Sequence, residues 1–123
     1  MHHRFLFLSF AISAACFLVF SASAETRIET VAGTGARGYS GDSEPAVAAE
    51  LNNPFGVIVA PDGDIIFCDT GNHAIRRISR KSGVIETLAG TGKAGLSGDG
   101  GDPLKAELNE PYEIRFQDRK THV

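Results

Sequence analysis

The stretch IETVAGTG at residues 28–35 returns as IETLAGTG at residues 85–92, 57 positions further along a chain of 123 residues. The match continues without a gap, so that 16 of the 28 positions in 28–55 are identical to their counterparts in 85–112. Chance similarity between glycine-rich loops would not preserve one register over this length. A duplication of this period is typical of repeat architectures, in which each repeat forms one supersecondary unit.

Within one period, short β-branched runs alternate with turn sequences that contain Asp-Gly, Gly-Asn and Ser-Gly. Such spacing predicts an antiparallel meander. The four predicted strands lie at 57–60, 64–69, 74–79 and 84–89. The fold class is therefore predicted to be all-β, with a four-stranded antiparallel sheet as its unit.

The linker that separates successive sheets is predicted to contain one short helical turn per repeat. Asp102 and Pro103 suit the N-cap and first helical position of a turn over 104–108, because proline needs no amide partner there. Glu44 and Pro45 serve the same purpose less well for 46–51. This insertion accounts for a period longer than the roughly 40 to 45 residues of a four-stranded unit alone.

The third predicted strand is irregular. Its sequence AIRRI lacks a clean alternation of apolar and polar residues. It is interpreted as an outer strand with a bulge. Arg76 and Arg77, together with Arg80 and Lys81 in the following turn, are predicted to form a solvated basic edge.

The repeat resembles the NHL repeat of β-propellers, through PFGVIV at 54–59 and PDGDIIFCDTGNHAIR at 61–76. The next linker, with AGTG at 89–92 and SGDGG at 97–101, resembles that of a long-period bacterial branch of those repeats. The resemblance implies a toroid of about six four-stranded blades. It identifies 25–123 as an incomplete propeller: one complete set of blade strands at 55–89, a leading strand at 27–32 and a partial following repeat at 90–123.

Residues 1–24 are predicted to be a signal peptide. A short positive start precedes an uncharged, mostly apolar run at 5–20, and an Ala-Ser-Ala end places cleavage before Glu25. A membrane anchor is the alternative, but the run is short of the roughly 20 apolar residues that span a bilayer. A lipoprotein site at Cys16 is disfavoured by the apolar residues that follow it. The chain is therefore predicted to be secreted or periplasmic.

Several short motifs resemble nucleotide-binding or calcium-binding sites. The linkers at 33–38 and 90–95 fit G-x-G-x-x-G, but a dinucleotide site needs a helix there, and Ser-Gly-Asp follows instead. Acidic pairs at 62–64 and 99–102 suggest calcium but lack the spacing of an EF-hand. Asp-Gly is also a common hairpin turn. These stretches are interpreted as structural loops.

The most polar cluster is DTGNH at 69–73. Asp69 and Asn72 are predicted to bond nearby amides as Asx turns and Gly71 to adopt a positive φ, which makes the cluster structural. His73 has no histidine or cysteine at zinc-ligand spacing. Cys68, the only cysteine after residue 24, is predicted to be a small buried hydrophobe without a disulfide.

These features favour a non-enzymatic, exported binding or scaffolding module. No catalytic residue, cofactor site or metal site is predicted, since no Ser-His-Asp or Cys-His arrangement is present. A net charge of −3 without a basic patch argues against nucleic acid. The partner is expected to be a protein or an extracellular ligand, with no stable membrane insertion after cleavage.

Two alternatives remain. The chain could be a fragment of a metal-dependent, six-bladed propeller enzyme of lactonase or lyase type, in which several blades contribute the metal ligands. It could also be a truncated gene product. A lone blade leaves apolar faces uncovered, and repeats need about three copies for stability. The chain is therefore expected to self-associate, to complement other propeller blades, or to remain partly unfolded.

Overall fold

The structure is a computed structural model that describes residues 25–117 and 120–122. The predicted signal peptide at 1–24 lies outside the described residues. The chain forms one four-stranded antiparallel sheet in the order β1-β2-β3-β4. The strands are β1 (Pro54–Val59), β2 (Ile65–Asp69), β3 (Ala74–Ile78) and β4 (Ile85–Ala89). The all-β class and the antiparallel meander are thereby confirmed.

The β1–β2 turn shows why this sequence reverses direction where it does. The Ala60 N–H donates to the Asp64 carbonyl at 2.8 Å, and the Asp64 N–H donates to the Asp62 carboxylate at 3.0 Å. Gly63 has a φ of 90°, a conformation that L side chains rarely adopt. The Asp-Gly pair therefore closes the hairpin.

The prediction that the third strand is an outer strand is wrong, because β3 lies between β2 and β4. The pairing of β3 with β4 does contain a bulge, since Ile75 faces Ala89 while Arg76 faces Thr87. The extra residue, Leu88, therefore belongs to β4. A second irregularity, at Gly56 in β1, interrupts the pairing with β2.

Each linker contains a short 3₁₀ turn at the same place in the repeat. The first spans Ala46–Ala48 and the second Pro103–Lys105, which are shorter than predicted. The Leu104 N–H donates to the Asp102 carboxylate at 3.0 Å, as expected of an N-cap. The chain becomes extended again at Ala49 and Ala106, which ends each turn after three residues.

The duplication is also a structural repeat. Three backbone hydrogen bonds of the first linker recur 57 positions later: Gly33 N–H to Ala46 O and Gly90 N–H to Pro103 O, Gly38 N–H to Leu51 O and Gly95 N–H to Leu108 O, and Ser40 N–H to Glu50 O and Ser97 N–H to Glu107 O. Equal sequence therefore produces equal loop geometry in both linkers.

The sheet buries a different set of side chains on each face. The first face packs under the first linker, with a core of Ala46, Ala49, Phe67, Ile78 and Ile85. The second face is covered by the start of the next repeat, with a core of Ile66, Cys68, Ile75 and Ile114. Consecutive residues of β2 serve opposite faces, as strand geometry requires.

The leading part of the repeat differs from the prediction. The predicted leading strand at 27–32 is not a strand, because no strand of the described chain runs beside it to form a ladder. In the following repeat, β5 (Arg115–Gln117) pairs antiparallel with β6 (Lys120–His122). A hairpin therefore forms at the place of β1–β2 even though the Pro-Asp-Gly turn is not repeated there.

Candidate functional site

The most elaborate polar arrangement centres on Asp69, the last residue of β2, which is fully buried. One carboxylate oxygen accepts the Asn52 N–H at 2.8 Å. The other accepts the Asn72 side-chain amide at 2.8 Å and Arg76 Nη1 at 3.2 Å. The 3₁₀ turn Thr70–Asn72 connects β2 to β3 and brings these side chains together. We call Asp69, Asn72 and Arg76 the polar clamp.

Arg76 joins the clamp to the first linker. Its Nη2 donates to the Ser40 carbonyl at 2.9 Å and to the Asp42 carboxylate at 3.0 Å. The Tyr39 ring lies over the guanidinium, 5.1 Å from centroid to Cζ. A buried cation is tolerated when it is paired and hydrogen-bonded, and both Nη atoms of Arg76 meet this condition with Asp69 and Asp42. Its buried Nε has no hydrogen-bond partner among the described residues. The predicted solvated position of Arg76 is wrong, since its side chain is fully buried.

Asn72 and Gly71 complete the attachment of the linker. The Asn72 amide also donates to the Gly38 carbonyl at 2.7 Å, and the Asn52 amide donates to the Gly71 carbonyl at 3.0 Å. The predicted Asx turns are therefore replaced by long-range bonds. Gly71 does not adopt a positive φ; His73 does, at 52°. Glycine is needed at 71 because a Cβ would lie 2.6 Å from Asn52 Cγ.

A second ion pair lies at the other end of the sheet. Arg77 Nε donates to the Asp64 carboxylate at 2.6 Å, and Arg77 Nη1 lies 3.5 Å from Glu86. The Arg80 N–H also donates to Asp64, at 2.9 Å. This backbone bond first, and Arg77 next, hold the pKa of the Asp64 carboxyl below its ordinary value against the opposing effect of burial. Arg77 is therefore a paired residue, whereas Arg80 and Lys81 are exposed as predicted.

Cys68 is fully buried in the core of the second face, which confirms its predicted role as a small hydrophobe. Burial, and secondarily the charge of Glu113, raises the pKa of its thiol. A buried thiol with a raised pKa has little thiolate to act as a nucleophile or metal ligand. It therefore has none of the features of a catalytic cysteine.

The other candidate ligands are engaged in local structure. The His73 Nδ1 accepts the Glu110 N–H at 3.1 Å. Asp62 and Asp102, from the two acidic pairs, accept backbone amides in their own turns. Within residues 25–117 and 120–122, no three His, Cys, Asp or Glu side chains cluster as a metal site would require. The G-x-G-x-x-G loops lead into bends and bridges rather than a helix.

An exposed apolar surface lies on β1. Phe55, Val57 and Val59 are exposed, the two valines at 66% and 67%. We call these three residues the β1 surface. It borders an open groove of about 340 Å³ on the first face, lined in part by Val31, Leu51, Ile65, Phe67 and Ile78. The sequence predicts that a lone blade leaves apolar faces uncovered, but it does not single out these three residues.

The contact between successive repeats is visible inside the chain. Phe55 and Tyr112, which are equivalent residues of the two repeats, stack with ring centroids 4.3 Å apart and planes at 25°. The Thr70 hydroxyl donates to the Pro111 carbonyl at 2.7 Å. A Cβ at Gly56 would lie 2.5 Å from the Tyr112 carbonyl oxygen, so the close approach of the backbones requires glycine there.

Comparison with known proteins gives partial similarities, and no protein-family profile matches the chain. A stretch of 73 residues is 42% identical to the Arabidopsis thaliana protein SUPPRESSOR OF QUENCHING 1, chloroplastic; it is 58% of this chain and 7% of that protein. A crystal structure of a Bacteroides thetaiotaomicron protein of unknown function superposes with a TM-score of 0.57 and 28% identity, over 70% of this chain and 21% of that chain.

The chain thus corresponds to a small part of both relatives. At the level of one sheet, the four-stranded antiparallel architecture is shared with a solved structure and is compatible with a propeller blade. The curated relative is named as a chloroplastic protein. Among the described residues of this chain, no helix is both long and apolar enough to cross a membrane.

Proposed function

We propose that the chain is an exported, non-enzymatic binding module built from an NHL-type propeller repeat, which binds polypeptide through the β1 surface. The NHL assignment is supported by the resemblance of 54–76 to that repeat, by the antiparallel sheet and by the duplication of 57 residues. The curated similarity covers only 7% of a much longer protein. Such a share fits a module that recurs within larger assemblies.

The observation that carries this proposal is the contrast between the polar and apolar groups. The buried polar side chains Asp64, Asp69, Thr70, Asn72 and Arg76 all bond within the blade, where they attach linkers and turns to the sheet. Catalytic groups, in contrast, need a free functional atom that faces a substrate. The clamp therefore supports a structural role.

The β1 surface has the opposite character. Phe55 and Val57 line a groove whose lining is almost entirely apolar, and Val59 follows on the same face of β1. Among the described residues, β2 is the only strand that pairs with β1. Contiguous exposed apolar surface of this kind marks protein interaction sites. Polypeptide that presents apolar side chains is the partner that fits it.

Photo-crosslinking in cells tests the proposal. A photoreactive amino acid replaces Val59 in the β1 surface, and a matched variant carries it at Val47, which is 54% exposed in the first 3₁₀ turn. We expect a discrete covalent adduct from position 59 and none from position 47. A Val57→Lys substitution should remove the adduct. Equal labelling at both positions, or none at either, would contradict a binding role for this surface.

A further inference from the structure

Equivalent positions in the two repeats have opposite burial. Val57 and Ile114 are 57 positions apart and occupy the same place in the repeat. Ile114 is 3% exposed because it packs on Ile66, Cys68 and Ile75 of the second face, whereas Val57 is 66% exposed. Phe116, the equivalent of Val59, also packs against the second face. These two apolar positions of a repeat are therefore covered when another sheet precedes them.

The chain also shows the geometry of that burial. The stack of Phe55 on Tyr112 and the bond from Thr70 to the Pro111 carbonyl fix how the start of a repeat lies on the sheet before it. A strand that carried Phe55 in place of Tyr112, and Val57 in place of Ile114, would present the same chemistry to the second face. The β1 surface thus matches a face that the chain itself contains.

We infer that the β1 surface binds the second face of another copy of this chain, where β1–β2 of the incoming copy replaces residues 111–122. This inference rests on the proposed function and names its partner. The resident hairpin β5–β6 has strands of three residues each, against six and five in β1 and β2. The β1–β2 hairpin is already formed in each copy, and what the contact adds is the burial of Val57 and Val59, which are otherwise exposed.

The contact is head to tail. Each copy has one β1 surface and one second face, and the two are different surfaces of the molecule. A heterologous contact of this type can be repeated from copy to copy and closes into a ring when the rotation permits. The linker at 90–110 leaves its position together with residues 111–122, since the linker at 33–53 of the incoming copy is its structural equivalent.

Sedimentation velocity over a wide range of concentration tests this inference on the chain purified from cells that express all 123 residues. We expect reversible assembly that increases with concentration. Val57→Lys should weaken the association by roughly tenfold or more, because it places a charge in the contact. Val47→Lys should leave the association unchanged, because Val47 lies outside the β1 surface and its equivalent Leu104, which already occupies the junction between two repeats, is still 53% exposed.

A second pair of variants tests the replacement of residues 111–122. Ile114→Lys weakens the resident cover of the second face, so assembly should increase. In the Ile114→Lys background, Val57→Lys should abolish the increase in assembly. If the increase were non-specific aggregation of a destabilised chain, it would persist in the double variant. Circular dichroism of each variant measures whether β-structure is retained. If Ile114→Lys unfolds, the comparison of Val57→Lys with Val47→Lys still tests whether the β1 surface forms the contact.

Three results would overturn the inference. They are a monomer at every concentration, equal effects of Val57→Lys and Val47→Lys on the association, or assembly of Ile114→Lys that does not change when Val57→Lys is added. None of them contradicts the proposed binding function. A crosslinked adduct from position 59 to a different polypeptide would support that function and exclude a second copy as the partner. Absence of any adduct would contradict the function itself.

Discussion

Asp69 Oδ2 and Arg76 Nη1 lie 3.2 Å apart, and neither side chain has any exposed surface. They come from the end of β2 and the middle of β3, seven residues apart in sequence. Through Asn52 on one side and Ser40 on the other, the pair fastens the first linker to the sheet. The ion pair thereby holds the glycine-rich first linker against the sheet.

Removal of Asp69 should therefore destabilise the fold strongly. Asp69→Ala leaves a buried guanidinium with a single remaining carboxylate, and the loss of one member of a buried pair typically costs about 3–5 kcal/mol. Asp42→Ala is the matched control, because the Asp42 side chain is 53% exposed and solvent can replace it. Urea unfolding measures both. A smaller loss of unfolding free energy for Asp69→Ala than for Asp42→Ala would contradict the clamp.

Asn72→Ala should loosen the linker without affecting metal binding. The substitution removes the bonds of the amide to the Gly38 carbonyl and to Asp69, with an expected cost of about 1–2 kcal/mol. Lys81→Ala, in an exposed turn, should change the free energy of unfolding by less than about 0.5 kcal/mol. A calorimetric titration with calcium or zinc that gives a signal in the native chain and loses it in Asn72→Ala would refute the structural role.

Strand positions were predictable from local signals, because β-branched runs between Pro-Asp-Gly, Gly-Asn and Ser-Gly turns carry their own boundaries. The burial of the Arg76 side chain was not predictable in this way. Arginine is ordinarily exposed, and the partners that bury it, Ser40 and Asp42, lie 36 and 34 residues earlier. Only the folded path of the linker brings them together.

The difference between Val57 and Ile114 was equally hidden from sequence. The two residues have the same character and the same place in the repeat, and only Ile114 lies on a preceding sheet among the described residues. Burial in repeat proteins depends on neighbouring units, and a pattern read within one unit does not carry that information. The sequence predicted uncovered apolar faces in general, and the structure identified the residues of the β1 surface.

The acid stability of the blade should depend on Asp64. Because the bond from the Arg80 N–H and then the Arg77 side chain lower the pKa of this carboxyl in the folded state, protonation favours the unfolded chain. The stabilisation is complete above the ordinary value of 3.8 and is lost as the pH falls through the lower folded-state pKa. Unfolding measured from pH 7 downwards should show a steeper acid loss in the native chain than in Asp64→Asn. Parallel profiles would be inconsistent with this coupling.

The predicted signal peptide has a direct chemical test. Exported protein should begin at Glu25, because Ala22 and Ala24 flank the small residue before the cleavage point. N-terminal sequencing or intact mass of the exported fraction measures this. An Ala24→Phe substitution should block cleavage at that bond. A membrane-retained product that starts at Met1 in the native chain would refute the prediction.

The most direct test measures whether the β1 surface is covered in concentrated protein and in cells. A Val57→Cys variant is labelled with a maleimide, and a Val47→Cys variant serves as the control; Cys68 is buried and should react slowly in both. We expect the thiol introduced at 57 to react rapidly with maleimide in dilute purified chain. The same thiol should be protected in concentrated chain and in cells. The thiol introduced at 47 should react at the same rate under all three conditions. Equal reactivity of both thiols under all three conditions would contradict this expectation.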